Sequence, residues 1–468
     1  AAPTIEELVG LIETRRQDAG GTAIRPDEGS RARTPADRPL PIMPPAARFL
    51  KERDNLDPDR WNIAQLLESE PPIDPALIKQ AVGIVARRHD ALDLRLTDDQ
   101  SYWYTLPETK AGDGMTGHVD FSALSDQALP QAISDLAEHE HASLDLRQGP
   151  MVRVVTIDLG PDRPHRLLVL AHHLAADGTS WPVLIRDIIW TYEELSGHRQ
   201  TSLVAPTASY RAWTEALLNM GADPDFLAKI DRWTNRPWHE VKPLPQTAGA
   251  INSNQSVRTV ETRLGVAETN QLRALLPRGR SVTEILIPSL AHAVSRWTES
   301  DWVLIESLEN GRNLPNVQTI FTQSIGFMGC YIPLLLHAGG EEGQGMAALG
   351  EEVRRARQEG YAYDVLRYLA DDQEVRARMA ALPRAQIIFN YGRAMKNFLP
   401  DDTLFRDARE PHGNTHNPMN PRDYVLGAVA DRIDGQFALK LVYSQNLNDR
   451  AVIKNLLDDW AAGLQSLL

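Results

Sequence analysis

The sequence predicts an α/β protein whose body is divided into two lobes. The chain has 468 residues, which at about 100–200 residues per domain is enough for two or three domains, or for two lobes around one cleft. Hydrophobic residues make up 42% and charged residues 24%, a composition typical of folded globular proteins. Helix-like and strand-like patterns occur on both sides of the middle of the chain, so each lobe is predicted to contain both.

Charge and cysteine content exclude several classes of function. The net charge of −14 argues against nucleic acid or an anionic membrane as the main partner, because both require a basic surface. The single cysteine, Cys330, cannot form an internal disulfide or a thiolate metal cluster, which fits a reducing cytoplasm. No apolar run approaches the ~18 residues of a membrane span. We therefore expect a cytoplasmic protein with no membrane or nucleic-acid partner.

The first residues are predicted to stand apart from the body. Thr4 and Glu7 have the spacing of a capping box ahead of an apolar stripe, which predicts a short amphipathic helix. From about Glu13 to Pro45 the sequence is polar and rich in proline, as expected of a linker. These patterns predict a helix and linker over residues 1–37. The first lobe is then predicted over 38–207 and the second over 208–468, with the boundary near residues 200–215.

The body begins with a helix that Asp74-Pro75 starts and that ends near Arg88-His89, because Asp is a good N-cap and Pro suits the first helical turn. The apolar runs of the first lobe predict strands over Met151–Asp158 and Arg166–Ala171, and a 3.6-residue stripe from Leu184 to Tyr192 predicts the next helix. The second lobe is predicted to contain helices over Val282–Trp297, Met346–Tyr368 and Val452–Leu468, and strands over Ser256–Leu264, Trp302–Ser307, Ile332–Leu336, Ala385–Asn390 and Phe437–Tyr443.

The pattern His-His-x-x-x-Asp-Gly, from His172 to Gly178, lies between a predicted strand and a predicted helix that Thr179 or Ser180 would cap. A strand-to-helix loop can present a side chain into a cleft. Adjacent histidines on a turning backbone point in different directions, so at most one is expected to face a substrate. Asp177 can hold the loop, and Gly178 is expected to allow a turn that a Cβ would oppose. The alternative for either histidine is a structural role.

A zinc site is disfavoured, because adjacent histidines lack the i, i+4 spacing of a zinc-binding helix and no His-Glu-x-x-His or cysteine cluster exists. We interpret His412 and His416, in a Gly/Asn/Pro-rich loop, as solvated residues. We also interpret His139 and His141, in a polar helical stretch, as solvated residues.

The His172–Gly178 string resembles the signature of the condensation-domain superfamily of nonribosomal peptide synthetases. Other segments similar to motifs of that superfamily follow in the family's order: Arg87–Leu96, in which Asp93 replaces the usual arginine, Asn310–Pro315, Ser324–Leu334 and Ile388–Tyr391. The resemblance covers about residues 40 to 468. It implies two lobes similar to chloramphenicol acetyltransferase that form a V-shaped pseudo-dimer with a central tunnel, and a latch over about Gly392–Asp423 that crosses to the first lobe.

The resemblance implies an enzyme that joins a carrier-bound acyl or peptidyl thioester to an amine, or with an alcohol acceptor forms an ester. The implied catalytic loop contains His172, His173, Asp177 and Gly178. In it, His173 is a general base or a hydrogen-bonding positioner, Asp177 is mainly structural and paired with Arg312 or Arg88, and the Gly178 N–H faces the developing oxyanion. The substrate-binding residues implied are Trp181, Arg312, Ser324, Gly326 and Asn390.

The implied partners are donor and acceptor carrier domains and adjacent synthetase modules, and the chain is expected to be a monomer. It would bind no cofactor of its own, since its substrates arrive on the phosphopantetheine of the carriers. Residues 2–12 resemble the last helix of an acyl carrier domain, although an ordinary N-terminal arm helix fits them equally.

Some segments are instead similar to the epimerisation branch of the superfamily, namely Trp61-Asn62, Asp177–Trp181 and Gly360–Leu369. Aligned on Gly311-Arg312, however, Leu308 occupies the position of the epimerase glutamate. Glu309 is one residue away, and on a strand it would point to the opposite face. Inverting a Cα requires two titratable groups, whereas amide formation from a thioester depends mostly on placing the reactants. The sequence therefore favours condensation.

Three alternatives remain open. An epimerase would exchange deuterium into the Cα of a carrier-bound aminoacyl group without extending the chain. A silent recruitment platform of the same fold would bind a partner without turnover, although His173, Asp177 and Gly178 are all present. A coenzyme A acyltransferase of the plant type would carry an Asp-Phe-Gly-Trp-Gly element, which does not occur in this sequence.

Overall fold

The computed structural model describes residues 39–52, 56–107, 110–200, 208–314, 317, 319–339, 343–392, 399 and 402–468. The predicted N-terminal helix and most of the predicted linker lie outside the described residues. The lobe border between residues 207 and 208 stays a prediction. None of the described helices is long and apolar enough to cross a membrane.

The first part of the chain forms two sheets. A small sheet has the order β1-β4-β3, and a larger one has the order β12-β2-β7-β6-β5, in which only the β5–β6 pair is parallel. Its edge strand β12 (Phe405–Asp407) comes from the second part of the chain. The elements here are β1 (Leu40–Pro41), α1 (Pro44–Lys51), β2 (Asn62–Ser69), α2 (Pro75–Arg88), β3 (Leu94–Leu96), β4 (Tyr102–Thr105), β5 (Thr116–Asp120), α3 (Leu129–Ala142), β6 (Val152–Asp158), β7 (His165–His172) and α4 (Ser180–Leu195).

The second part forms a six-stranded mixed sheet of order β10-β9-β11-β13-β14-β8, in which β11 runs parallel to both of its neighbours. Its elements are α5 (Tyr210–Ala222), α6 (Pro224–Leu227), α7 (Asp231–Thr234), β8 (Val257–Arg263), α8 (Val266–Ala274), α9 (Thr283–Thr298), β9 (Trp302–Glu309), β10 (Cys330–His337), α10 (Met346–Glu359), α11 (Tyr361–Tyr368), α12 (Gln373–Ala380), β11 (Ile387–Gly392), β12 (Phe405–Asp407), β13 (Leu426–Ile433), β14 (Gln436–Ser444) and α13 (Arg450–Gln465).

The predicted helices and strands of the body are present, with two corrections. The predicted helix Met346–Tyr368 is two helices, α10 and α11, and the chain turns between them at Gly360, which packs so tightly that a Cβ there would lie 2.1 Å from Ile332 Cδ1. The predicted linker ends too late. Pro44 and Pro45 open α1, where proline costs little because the first helical N–H groups have no partner within the helix.

The largest apolar core joins the two parts of the chain. Ile188 of α4 belongs to the same buried cluster as Trp213 of α5, Leu366 of α11 and Phe327 of the loop before β10. A second core lies between the six-stranded sheet and the helices α9 and α13, and contains Leu290. The loop before α4 and the loop before β10 therefore pack on the same apolar core.

The segment resembling a latch does reach the first part of the chain. Phe405, Arg406 and Asp407 of β12 pair with β2, adding an edge strand to the five-stranded sheet. The Phe405 side chain is buried there and meets the Tyr192 ring edge-on, with 5.8 Å between the ring centroids.

Candidate active site

The candidate site is the loop between β7 and α4. β7 ends at His172, whose cross-strand partner on β2 is Asn62, so Trp61 lies next to His173. The His173 N–H donates to the Trp61 carbonyl oxygen at 2.7 Å. The loop thus leaves the sheet in a position fixed by the backbone of the neighbouring strand.

His172 is fully buried and has structural contacts at both ring nitrogens. Its Nε2 bonds to the Pro58 carbonyl oxygen at 2.8 Å, and its Nδ1 accepts from the Leu174 N–H at 3.2 Å. Burial lowers the pKa of His172 to about 3, with a smaller contribution from the neighbouring His173. His172 is therefore neutral at physiological pH, with its proton on Nε2.

His173 is partly exposed and lies among aromatic rings from both parts of the chain. Its imidazole stacks on the Trp61 indole, with 4.6 Å between centroids and 26° between planes. The Phe327 ring meets it edge-on at 5.3 Å. The prediction that the two adjacent histidines point in different directions is thereby confirmed, and His173 is the one with access to solvent.

Asp177 is buried and all its contacts are structural. Its two carboxylate oxygens accept from both terminal nitrogens of Arg312 at 2.9 Å, and Oδ2 also accepts from the Met328 N–H at 3.0 Å. Burial by itself would raise the pKa of Asp177, but the Arg312 guanidinium and the hydrogen bonds lower it below its ordinary value. Of the two predicted partners, Arg312 is the correct one, while Arg88 lies 3.7 Å from Asp187.

Thr179 occupies the N-cap position of α4, as predicted, but it makes no side-chain capping hydrogen bond. Neither Thr179 nor Ser180 caps the helix with its side chain; instead Asp177 Oδ1 accepts from the N–H groups of both, at 3.1 and 2.8 Å. A carboxylate is also the better cap electrostatically, since the positive end of the helix dipole favours negative charge.

Ser180 and Gly326 form a second link between the two parts of the chain. The Ser180 hydroxyl donates to the Gly326 carbonyl oxygen at 2.9 Å and accepts from the Gly326 N–H at 3.0 Å and from Arg312 at 2.7 Å. Gly326 has φ +149°, and a Cβ there would lie 2.4 Å from the Tyr210 ring. The glycine is required by this close approach.

The residues predicted to bind substrate are mostly buried in structural contacts. The Trp181 indole N–H donates to Gln65 at 3.2 Å, and the Ser324 hydroxyl donates to the Ala208 carbonyl oxygen at 2.7 Å. Arg312 and Gly326 are held as described above, and only Asn390, on β11, is half-buried. The substrate-binding role of these five residues stays a prediction.

The prediction that Gly178 allows a turn that a Cβ would oppose is wrong. Gly178 is exposed, its φ lies outside the left-handed region, and a Cβ there would meet no atom within 4 Å. No described contact of the chain therefore requires glycine at this position. Within the described part of the chain no protein acceptor is found for its N–H.

Leu308, which the resemblance aligns with the epimerase glutamate, is an apolar residue on β9. Leu308 lies on β9 opposite Tyr331, and Glu309 lies opposite Cys330, on the other face of the strand as predicted. Both Glu309 oxygens accept from Arg357 at 2.6 Å. Glu309 is thus held in a bidentate ion pair within the second part of the chain.

A buried ion pair between α1 and β9 was not predicted from the sequence. Arg48 donates to both oxygens of Glu306, at 2.8 and 2.7 Å, and the Tyr424 hydroxyl bonds to both partners. A glutamate within an apolar strand signals a buried partner. The partner itself is 258 residues away along the chain and could not be identified from the sequence.

His141 was also misinterpreted. It is buried in α3 rather than solvated, and burial lowers its pKa. Its Nε2 bonds to the His412 carbonyl oxygen at 3.0 Å, so it holds the latch segment against α3.

A cavity of about 170 Å³ borders the Trp61 ring and is open to solvent under the latch segment. Its lining is mostly polar and comes from both parts of the chain: Phe49, Arg60, Trp61, Asn254, Ile388, His416, Asn420, Pro421, Arg422, Asp423 and Tyr424. The predicted tunnel through the molecule stays a prediction.

Comparison with known proteins identifies the family. The sequence model of the condensation domain matches residues 49–468, so the chain belongs to the condensation-domain family. It is 29% identical over 92% of its length to a linear gramicidin synthase protein of Brevibacillus parabrevis, and 24% identical over its whole length to surfactin synthase subunit 2 of Bacillus subtilis. The chain spans only 8% and 13% of those two proteins.

Solved structures show that the fold is that of condensation and epimerisation domains, with lobes similar to chloramphenicol acetyltransferase. The epimerization domain of the third module of a tyrocidine synthetase superimposes with a TM-score of 0.76 at 24% identity, over 92% of this chain and 96% of that one. The starter condensation domain of rhizomide synthetase superimposes with a TM-score of 0.64 at 16% identity, over 92% of this chain and 96% of that one. Identities this low establish the fold but not the reaction.

Proposed function

We propose that this chain is a catalytically competent condensation domain of a nonribosomal peptide synthetase, which forms an amide from a carrier-bound acyl or peptidyl thioester. One observation carries the proposal: His173 is partly exposed between Trp61 and Phe327, while His172 and Asp177 are buried in structural contacts. The loop thus offers one imidazole for proton transfer.

In the proposed reaction the acceptor amine attacks the thioester carbonyl carbon. The new C–N bond forms as the C–S bond breaks, the amine loses one proton and the departing pantetheine thiolate gains one. His173 accepts the amine proton or orients the amine through a hydrogen bond. Gly178, an exposed residue of the same loop, would supply its N–H as the donor for the oxyanion. Placing the two reactants accounts for most of the acceleration, up to ~7–11 kcal/mol in well-oriented systems.

The contacts of β9 favour this reaction over epimerisation. Inversion of a Cα needs a second titratable group across from the histidine. Leu308 cannot serve as one, and Glu309 lies on the opposite face in its ion pair with Arg357. The similarity of the fold to an epimerization domain does not supply the missing acid.

The proposed partners are a donor carrier domain, an acceptor carrier domain and adjacent synthetase modules, with the chain itself a monomer. The curated relatives are synthase proteins of which this chain matches a small part, so carriers fit as partners. The pantetheine of those carriers would bring the substrates, and no cofactor of the chain's own is proposed.

The test mixes the chain with two carrier domains in deuterated buffer, one loaded with an N-acetylaminoacyl thioester and the other with an aminoacyl thioester. We expect the mass of the acceptor carrier to increase by the transferred acyl group in intact-mass spectra. A mass shift from deuterium at the Cα, without transfer, would establish epimerisation instead. Binding of carriers with neither change would support a recruitment platform.

His173→Ala should reduce the transfer rate by at least about 100-fold, since general acid–base catalysis contributes about 10²–10⁴. The fold should be retained, because a partly exposed loop side chain supports little of the core. The matched control is His239→Ala, whose side chain is 80% exposed and which should leave the rate unchanged. Transfer at the wild-type rate by His173→Ala would refute the catalytic assignment.

A further inference from the structure

The indole of Trp61 lies between two other rings. The Phe49 ring stacks on it with 4.5 Å between centroids and 14° between planes, and the His173 imidazole stacks on it at 4.6 Å and 26°. This arrangement follows from the strand register, because Asn62 pairs with His172 and Trp61 is therefore the cross-strand neighbour of His173. The imidazole therefore lies over one face of the indole.

Phe327 restricts the same imidazole from the second part of the chain. Its ring meets Trp61 edge-on at 5.4 Å and His173 at 5.3 Å. The next residue, Met328, donates its N–H to Asp177. The loop that carries His173 and the loop that carries Phe327 are therefore held together by a hydrogen bond beside the rings.

The stack is also anchored on its far side. Phe49 is adjacent in α1 to Arg48, whose guanidinium is fixed by the buried Glu306 of β9. The ring on the far face of Trp61 therefore belongs to a helix that is tied to the other sheet.

We propose that Trp61 is a positioning residue for His173: its indole fixes the plane of the imidazole and stabilises the imidazolium that forms when the ring accepts a proton. The inference rests on the proposed function for its catalytic meaning. Indole is the aromatic face that attracts cations best, and the attraction corresponds to roughly two- to fivefold in an equilibrium at an exposed site. Among the described residues, the titratable and charged groups near this imidazole include the neutral His172, Asp177 in its pair with Arg312, and His416, which bridges to Trp61. Arg60, Arg422 and Asp423 line the cavity that Trp61 borders.

The experiment uses the full chain with ¹³C-labelled histidine and follows the imidazole signals by NMR, with the His173 signal assigned by its loss in His173→Gln. In the wild-type chain the ring current of Trp61 should displace the His173 signal upfield. In Trp61→Leu that displacement should disappear, and the titration midpoint of His173 should fall by about half a pH unit. Trp61→Phe should restore most of both effects.

The molecule contains a matched control. Trp302 stacks on His337 with the same 4.6 Å between centroids and 14° between planes, and the two are cross-strand partners on β9 and β10. Trp302→Leu should move the His337 signal and leave the His173 signal in place. This control shows that the measurement detects the loss of a tryptophan–histidine stack.

The kinetic readout separates positioning from general stability. Trp61→Leu should lower kcat severalfold with KM for the loaded carriers unchanged, and the acid limb of the pH–rate profile should move to lower pH. A folded Trp61→Leu chain with the wild-type His173 signal and titration midpoint would overturn the inference, and should that variant not fold, the same outcome in a folded Trp61→Met chain, which also lacks the ring, would do so. If the NMR changes occur but neither the wild-type chain nor any variant transfers an acyl group, the positioning stands and the proposed function fails.

Discussion

The two parts of the molecule are joined at the His172–Gly178 loop by buried charges, and at β12 by an edge strand. At the loop, Asp177 and Arg312 are 5% and 3% exposed and bind each other at two points. At β12, the backbone of Phe405–Asp407 pairs with β2, while the Arg406 side chain is 60% exposed and bonds to Glu68 and Glu70.

The two joining points differ in whether particular side chains are required. At the loop, the charge of one part is satisfied only by a particular residue of the other, so each change leaves a buried partner unsatisfied. At β12, the contacts between strands come from the backbone, which any residue but proline supplies. We call the Asp177–Arg312 contact the buried crossing and the pairing of β12 with β2 the exposed crossing. The geometry of the candidate site should depend on the buried crossing far more than on the exposed one.

The largest effect is expected from Asp177→Ala, which leaves Arg312 buried without its carboxylate. Removing one partner of a buried ion pair costs about 3–5 kcal/mol, and we expect the free energy of unfolding in urea to fall by that amount. The double variant Asp177→Ala, Arg312→Met should recover part of the loss, because it removes the uncompensated charge. An unchanged urea midpoint in Asp177→Ala would show that this crossing does not hold the two parts together.

A smaller and pH-dependent effect is expected at Asp364 of α11, which is buried and interacts electrostatically with Arg48 and Glu306. One of its oxygens accepts from the Tyr331 N–H at 2.9 Å, and burial raises the pKa of Asp364 to about 7. The folded chain therefore keeps the proton between about pH 4 and 7 while the unfolded chain loses it. The contribution of Asp364 to stability is present below pH 4 and is lost as the pH rises to 7, by at most roughly 4 kcal/mol.

Asp364→Asn should remove this dependence while retaining an acceptor for Tyr331. The free energy of unfolding of the variant, measured relative to wild type, should increase between pH 5 and pH 8. The exposed Asp98→Asn serves as the control and should show a pH-independent difference. A constant difference in Asp364→Asn as well would mean that Asp364 is ionised in the folded chain across this range.

Most of the secondary structure could be predicted, because β7, α4 and the strands of the second part have strong apolar periodicity within one segment. The His172–Gly178 loop was also located, since it lies between two such segments. The long-range partners could not all be predicted: Arg312 was one of two options for Asp177, and the Arg48–Glu306 pair was missed. Ion-pair partners far apart in sequence are chosen by tertiary packing, which local patterns do not encode.

The smallest effect is expected from Arg406→Ala in the exposed crossing. Ion pairs between exposed side chains contribute little, since water and salt screen them and their side chains lose entropy on pairing. We expect the urea midpoint to stay within experimental error of wild type, both at low salt and in 0.5 M salt (about three times the physiological ionic strength of ~0.15 M). A shift of the urea midpoint at low salt that disappears in 0.5 M salt would show that the Arg406 ion pairs stabilise the latch segment. Charge would then contribute at both joining points, though less at β12 than at Asp177–Arg312. The Phe405 ring, next to this arginine in sequence, is buried against Tyr192. We therefore attribute the attachment of β12 to the five-stranded sheet to its backbone hydrogen bonds and to the Phe405 ring.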